Sequence, residues 1–196
     1  MTDLAPIMTL DFAPTTRRCG DCQLCCRLLP ASDIGKPGNT KCQHQKHGVG
    51  CRIYARRPVS CRMWSCRWLT MHDTADLRRP DRSHYVVDVM PDYVTAQHNE
   101  TGEERVIPVI QIWCDPKHRD AHRDPALRAY LERRANEGWA GLVRYSQGDA
   151  LLIVAPAMAP DGQWHETASM LTQPEHSVID TINSITTGVD HARAVD

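Results

Sequence analysis

Eight of the nine cysteines in this 196-residue chain lie between Cys19 and Cys66. The densest run is Cys19-Gly20-Asp21-Cys22-Gln23-Leu24-Cys25-Cys26, a C-x2-C-x2-C-C spacing, and Cys42, Cys51, Cys61 and Cys66 follow it. An ordinary apolar core needs no such density of thiols. Either they ligate a metal or cluster, or they pair as disulfides. The compartment separates the two. Met1 to Pro14 carries no basic region ahead of an apolar stretch, and the first basic residue is Arg17. This segment does not read as a secretory signal, so the expected location is the reducing cytoplasm, where disulfides are disfavoured. Clustered reduced thiols in that compartment are metal ligands or redox groups.

On a helix at ~100° per residue, Cys19, Cys22 and Cys26 share an arc of ~60°, and Cys25 lies ~100° from Cys26. Three of the four can face one site. The adjacent Cys25 and Cys26 then imply two neighbouring sites, or one ligand beside a packed thiol. Other ligands must come from farther along the chain. Cys42 and Cys51 sit in or beside turns, at Asn39 to Cys42 and Gly48 to Cys51. Cys61 and Cys66, if on one helix, stand ~140° apart and ~7.5 Å along its axis, so Cys61 is the expected ligand of the two. Four-thiolate zinc favours two separated C-x2-C knuckles, and the second knuckle is missing. A ferredoxin-type run supplies three ligands and takes a fourth from elsewhere, often before proline, and here no proline follows a cysteine. The pattern supports a metal and leaves zinc or iron open, a 4Fe-4S iron–sulfur cluster included. His44 and His47 offer imidazole between Cys42 and Cys51, or else line a polar surface loop. Arginines from Arg17 to Arg67 surround the cysteines against only Asp21 and Asp33. They form either a solvated basic face or a positive shell for thiolates.

These residues resemble a known family. The order Cys19-x2-Cys22-x2-Cys25-Cys26, Cys42, Cys51-Arg52-Ile53-Tyr54 and Arg57-Pro58-Val59-Ser60-Cys61-Arg62 is similar to that of the CxxCxxCC cysteine-cluster proteins. These are also called YkgJ-like, or zinc- or iron-chelating domains. The likeness covers about residues 17 to 69. Gln23 stands where the family often has glycine, and Cys66 is an addition to the pattern. The resemblance implies chelation of zinc or iron, with an iron–sulfur cluster in some members. It implies Cys19, Cys22, Cys25, Cys26, Cys42, Cys51 and Cys61 as the ligand pool, and Cys66 joins them as a candidate outside the family pattern. Arg57, Arg62 and Tyr54 would stand next to the sulfurs, where an arginine can donate to them. One relative is a much larger flagellin lysine methylase. No Gly-rich turn after a strand marks a methyl-donor site here.

The elements that must position these groups divide near residue 80. Cys- and Arg-rich sequence gives way to strand-like runs. The expected class is α+β: a small Cys-rich helical and loop module, then a small, mainly antiparallel sheet with one or two helices. The expected boundaries are 1–16 for an N-terminal extension, 17–71 for the module, 84–185 for an α+β region packed on it and 186–196 for a tail. Helices are expected at Asp21 to Leu29, Pro58 to Leu69, Pro125 to Glu137 and Val178 to Ile185. Trp64 and Trp68 share one face of the second of these as core residues. Strands are expected at Tyr85 to Ala96, Arg105 to Trp113, Ala140 to Tyr145 and Ala150 to Val154, with Ser146 to Asp149 as a hairpin turn. Residues 72–83 read as a loop. Asp115, His118 and His122 beside Cys114 read as a solvent-facing turn.

Charge and hydropathy limit the function classes. The net charge of −1 predicts no attraction to nucleic acid or membranes. No segment approaches the ~20 apolar residues of a membrane span. There is no P-loop, dinucleotide fingerprint or Ser/His/Asp set. Three readings survive: a metal-binding protein, an iron–sulfur redox or modification enzyme, and a metal-stabilised adaptor that docks a protein partner.

Overall fold

The computed structural model describes residues 16–90, 92–97 and 102–169. Helix α1 spans Leu24–Leu28 and buries Leu24 and Leu28, four residues apart on one face. It ends because Leu29 turns extended, the conformation forced on a residue that precedes proline. Strands β1, Gln45–Lys46, and β2, Gly50–Cys51, form a small hairpin. Helix α2 is Val59–Met63, α3 is Arg67–Thr70 and α4 is Pro80–Ser83.

The single helix expected over Pro58 to Leu69 is therefore two helices. Trp64 and Cys66 are extended between them. The break has a sheet-edge cause. Cys66 bridges Asp88 in antiparallel fashion, and the Val89 amide donates to the Ser65 carbonyl at 3.3 Å. A helical backbone could not offer those groups sideways. Residues 72–83 are also more ordered than a loop reading implies. They carry a 3-10 turn at His72–Thr74 and α4, with Thr74 and Leu77 buried.

The second part is one six-stranded sheet of β3 (Tyr85–Val87), β4 (Asp92–Gln97), β5 (Glu104–Cys114), β6 (Ala140–Arg144), β7 (Ala150–Val154) and β8 (His165–Ser169). The strand expected over Tyr85 to Ala96 is split in two. β3 pairs with the end of β5 at Ile112 to Cys114, and β4 with its start at Glu104 to Val109. All pairs are antiparallel except β5 with β6, which helix α5 (Pro125–Ala135) connects. The architecture is thus α+β with a mixed, mostly antiparallel sheet. Asp124 caps α5 by accepting from the Ala126 amide at 2.9 Å, with Pro125 at the first turn. Strand β8 was not expected, because His165-Glu166-Thr167-Ala168-Ser169 lacks apolar alternation. The helix expected at Val178 to Ile185 lies outside the described residues.

Alternation along the strands builds a two-faced core. On one face Tyr85, Val87, Ile110 and Ile112 pack with Leu127, Tyr130 and Leu131 of α5. On the other, Val94, Ile107, Val109 and Leu142 form a second cluster. A third cluster seats the cysteine-rich part: Leu24, Leu28 and Cys66 pack on Val86 and Trp113. The first turn of the module is tied down as well, since Arg17 donates to the Trp68 and Thr74 carbonyls. No helix among the described residues is long and apolar enough to cross a membrane.

Glu166 locks the edge strand to α5. It accepts from Arg123 at 2.8 Å, from Arg128, and faces His122 Nε2 at 3.3 Å. Partial burial pushes its carboxyl up, but these three partners together hold it at about 2, against an ordinary 4.5. A depressed carboxyl contributes stability above its unfolded pKa and loses it as pH falls toward the folded value. Glu166→Gln should therefore cost about 1–3 kcal/mol near neutral pH. The difference from the parent should shrink as pH drops from 4.5 to about 2. Urea denaturation across that range checks it, and a pH-independent difference would refute it.

Candidate metal centre

The eight cysteines of the first part come from separate pieces of backbone. Cys19 and Cys22 flank a tight turn, closed by the Cys22 amide on the Cys19 carbonyl at 2.9 Å. Cys25 and Cys26 are on α1, Cys51 on β2 and Cys61 on α2, while Cys66 caps α3. Cys42 is tied to α1 by its own amide, which donates to the Cys26 carbonyl at 3.2 Å. All nine cysteines are free thiols.

Their mutual electrostatics sort them into two neighbourhoods. Cys61 lies within reach of the charges of Cys26, Cys42 and Cys51. Cys66 lies within reach of Cys22 and Cys19, and Cys25 within reach of Cys66 and Cys19. The adjacent Cys25 and Cys26, ~100° apart around the helix, join the two. The Cys25 thiol donates to the Cys26 sulfur, which with Lys36 and Arg57 brings Cys26 down to about 7 despite its burial. The same hydrogen bond, followed by burial, raises Cys25. Burial raises Cys19, opposed by the Tyr54 hydroxyl and Arg57, and raises Cys22 and Cys61. Cys66, sealed against Val86 and Trp113, is pushed up to about 12.

Cations stand inside this group of thiols. Lys36 is 9% exposed, and its ammonium donates to the carbonyls of Leu29, of Pro37 at 3.0 Å and of Arg27 at 3.4 Å. Among the described residues no carboxylate pairs with it. The charges it faces are those of Cys42, Cys26, Cys61 and Cys25. Arg57 stacks on the Tyr54 ring at 4.2 Å, and its buried Nε has no hydrogen-bond partner among the described residues. The Tyr54 hydroxyl and Arg57 lie beside the Cys19 sulfur. No contact between Arg62 and a sulfur is evident. His44 engages Cys42 only through its backbone amide, 3.4 Å from the sulfur.

These residues fit a cationic metal or an anionic iron–sulfur cluster in one respect. Thiolates are soft ligands, and buried ammonium and guanidinium groups require the negative charge that ligand-form thiolates carry. In another respect they are not pre-closed. Among the described residues no three cysteine sulfurs lie within 4.8 Å of one another. Ligation requires the thiols to rotate about χ1 toward a common point.

The one group of three among the described residues that does meet that distance is His84, Asp115 and His118. A solvent-facing turn is the sequence expectation for Asp115, His118 and His122, without His84. Asp115 is buried, as is His122, and only His118 is exposed. His122 belongs to a different network. Its Nδ1 lies 2.6 Å from the Arg119 carbonyl and 2.9 Å from the Tyr145 hydroxyl, beside an open cleft of ≈ 230 Å³. The sequence signal for His84 was weak because His84 and Asp115 are far apart in the chain. Only the register of β3 on β5 makes them neighbours.

No protein-family model matches the chain, and neither the curated proteins nor the solved structures contain a match.

Gly50 is the tightest backbone joint in the centre. Its φ is +98°, and a Cβ there would stand 2.7 Å from the Gly20 carbonyl oxygen. That approach holds Cys51 beside the Cys19 turn. Gly48 also has positive φ, +68°, but open space around it. Gly50→Ala should therefore cost about 1–3 kcal/mol more than Gly48→Ala, since only the former adds a backbone clash to the conformational penalty. Equal denaturation midpoints for the two variants would show that the joint is not tight.

Proposed function

We propose that this is a cytoplasmic metal-binding protein of the CxxCxxCC cysteine-cluster type, chelating zinc or iron through its clustered thiolates. One observation carries the reading: the buried Lys36 ammonium, with Arg57 near it, faces cysteines and, among the described residues, no carboxylate. A buried cation without a counter-charge is costly, and deprotonated thiols are the anions at hand. Deprotonated thiols are also the form that binds metal. Cys26, Cys42, Cys51 and Cys61 make one four-sulfur group and Cys19, Cys22, Cys25 and Cys66 another. Either suffices in number for a tetrahedral ion or a cluster. When bound, zinc would supply a structural or Lewis-acid centre, and an iron–sulfur cluster an electron-transfer centre.

Anaerobically purified chain should contain zinc or iron in stoichiometric amount by elemental analysis. A broad visible absorbance would assign an iron–sulfur cluster, and a colourless zinc protein would exclude it. Cys26→Ala and Cys61→Ala should each lose metal, while Cys114→Ala, whose thiol packs in the sheet core, should keep it. Lys36→Met should weaken binding about 10–100-fold, as removal of a supporting partner does. Acidification should release the metal, because the thiolates take up protons. Full metal content in both Cys26→Ala and Cys61→Ala would overturn the reading.

A further inference from the structure

We propose that His84, Asp115 and His118 form a second, sulfur-free metal site, for a divalent transition cation such as zinc or ferrous iron. Their ligand atoms all lie within 4.8 Å of one another. The backbone, not chance side-chain placement, brings them together. Tyr85 pairs with Cys114 across β3 and β5, and one residue beyond that pair the Asp115 amide donates to the His84 carbonyl at 2.9 Å. The His118 amide donates to the Asp115 carbonyl at 2.8 Å, which folds the third ligand back over the first two. The site is thus built at the end of a sheet.

The carboxylate is prepared for coordination. Asp115 is 4% exposed, and Arg27 holds its Oδ2. Its Oδ1 accepts from the Lys117 amide at 3.2 Å, and a carboxylate oxygen keeps a further lone pair beyond one such bond. The imidazoles are close but not yet converged. The rings of His84 and His118 stack with centroids 3.7 Å apart and planes 11° from parallel. A cation cannot lie in two parallel ring planes at once, so one ring must turn. His118 is exposed, which leaves it room to do so.

His84 also occupies an unusual place. It terminates α4 at φ +64°, a left-handed position where glycine or asparagine is the ordinary choice. A histidine there carries a backbone cost of roughly 1–2 kcal/mol. Two imidazoles and one carboxylate select zinc or ferrous iron over calcium and magnesium, which prefer all-oxygen shells. Arg27 reinforces this choice. It neutralises the one anionic ligand, so binding must come from imidazole coordination and not from net charge. Three protein ligands leave coordination positions open on the exposed His118 side, the arrangement of a reactive rather than a closed structural metal.

The test is the zinc stoichiometry of the reduced full chain by equilibrium dialysis, with cobalt as a second probe. Thiolate-to-cobalt charge-transfer absorbance reports the cysteine cluster separately. His118→Ala and His84→Gly should each bind one zinc fewer than the parent, with affinity at the lost site reduced more than about 100-fold. The thiolate–cobalt absorbance should not change. His84→Gly relieves the left-handed strain, so its metal-free melting temperature should equal or exceed the parent's, which separates loss of metal from loss of fold. Unchanged zinc stoichiometry in both variants overturns the proposal, as does competition by magnesium or calcium at equal concentration. If the thiolate–cobalt absorbance is absent while the histidine-dependent zinc remains, the cysteine reading fails and this one stands.

Discussion

Everything at the cysteine-rich end depends on two leucines pressed against a sheet. Helix α1 has five residues, far below the ~12–15 at which an isolated helix becomes even marginal in water. It persists because Leu24 and Leu28, 5% and 1% exposed, bury against Val86 and Trp113. Each such burial supplies roughly 1.5–3 kcal/mol toward the cost of ordering the helix backbone. The same helix carries Cys25 and Cys26 and hands Arg27 to Asp115. The Leu28 carbonyl also anchors Asn39, and the Cys26 carbonyl anchors Cys42. Remove the docking and the thiols have no common frame.

Charge then decides what the frame holds. Burial alone raises a thiol, as at Cys114 and Cys66, each pushed up to about 12. Around Cys26 and Cys19, cations act against that burial. Lys36 and Arg57 lower Cys26, with the Cys25 thiol donating to it first, and Arg57 with the Tyr54 hydroxyl works against the burial of Cys19. A solvated basic face is the wrong picture for these two cations, because they point inward. It is the right one for exposed arginines such as Arg56.

What the sequence disclosed follows the range of the interactions concerned. The C-x2-C-x2-C-C run, the Asp124-Pro125 helix start and the Ser146 to Asp149 hairpin depend on neighbours in the chain, and each can be read locally. Ala150 to Val154 is apolar throughout and forms β7 over those residues. Most of the failures are long-range. Pro58 to Leu69 is expected as one helix from its proline start and its Trp64–Trp68 spacing, yet Cys66 gives up the helix to bridge Asp88. The Tyr85 to Ala96 run is expected as one strand despite Pro91-Asp92 within it, yet its two halves meet different stretches of one long β5. Strand β8 is held by the ion pairs of Glu166 with Arg128 of α5 and with Arg123 just before it, not by an apolar pattern, and no window along the chain reveals a partner some forty residues away. His84 with Asp115 is the same case at the level of a site.

The two candidate centres are not independent accidents of one fold. Arg27 follows Cys26 directly in the chain, so the side chains that leave α1 on its two sides serve different groups. Leu24 and Leu28 enter the core, the cysteines face the thiol cluster, and Arg27 reaches the carboxylate of Asp115. An ion pair with one partner 5% exposed is weak support for stability by itself, because desolvation offsets much of the attraction. Its value lies in geometry: a guanidinium can hold one carboxylate oxygen and leave the other facing the imidazoles. A leucine or methionine at position 27 would pack as well and leave Asp115 unheld. The arrangement therefore makes sense for a protein in which α1 positions ligands on both of its sides, and it has no evident purpose in one whose cysteines merely pack.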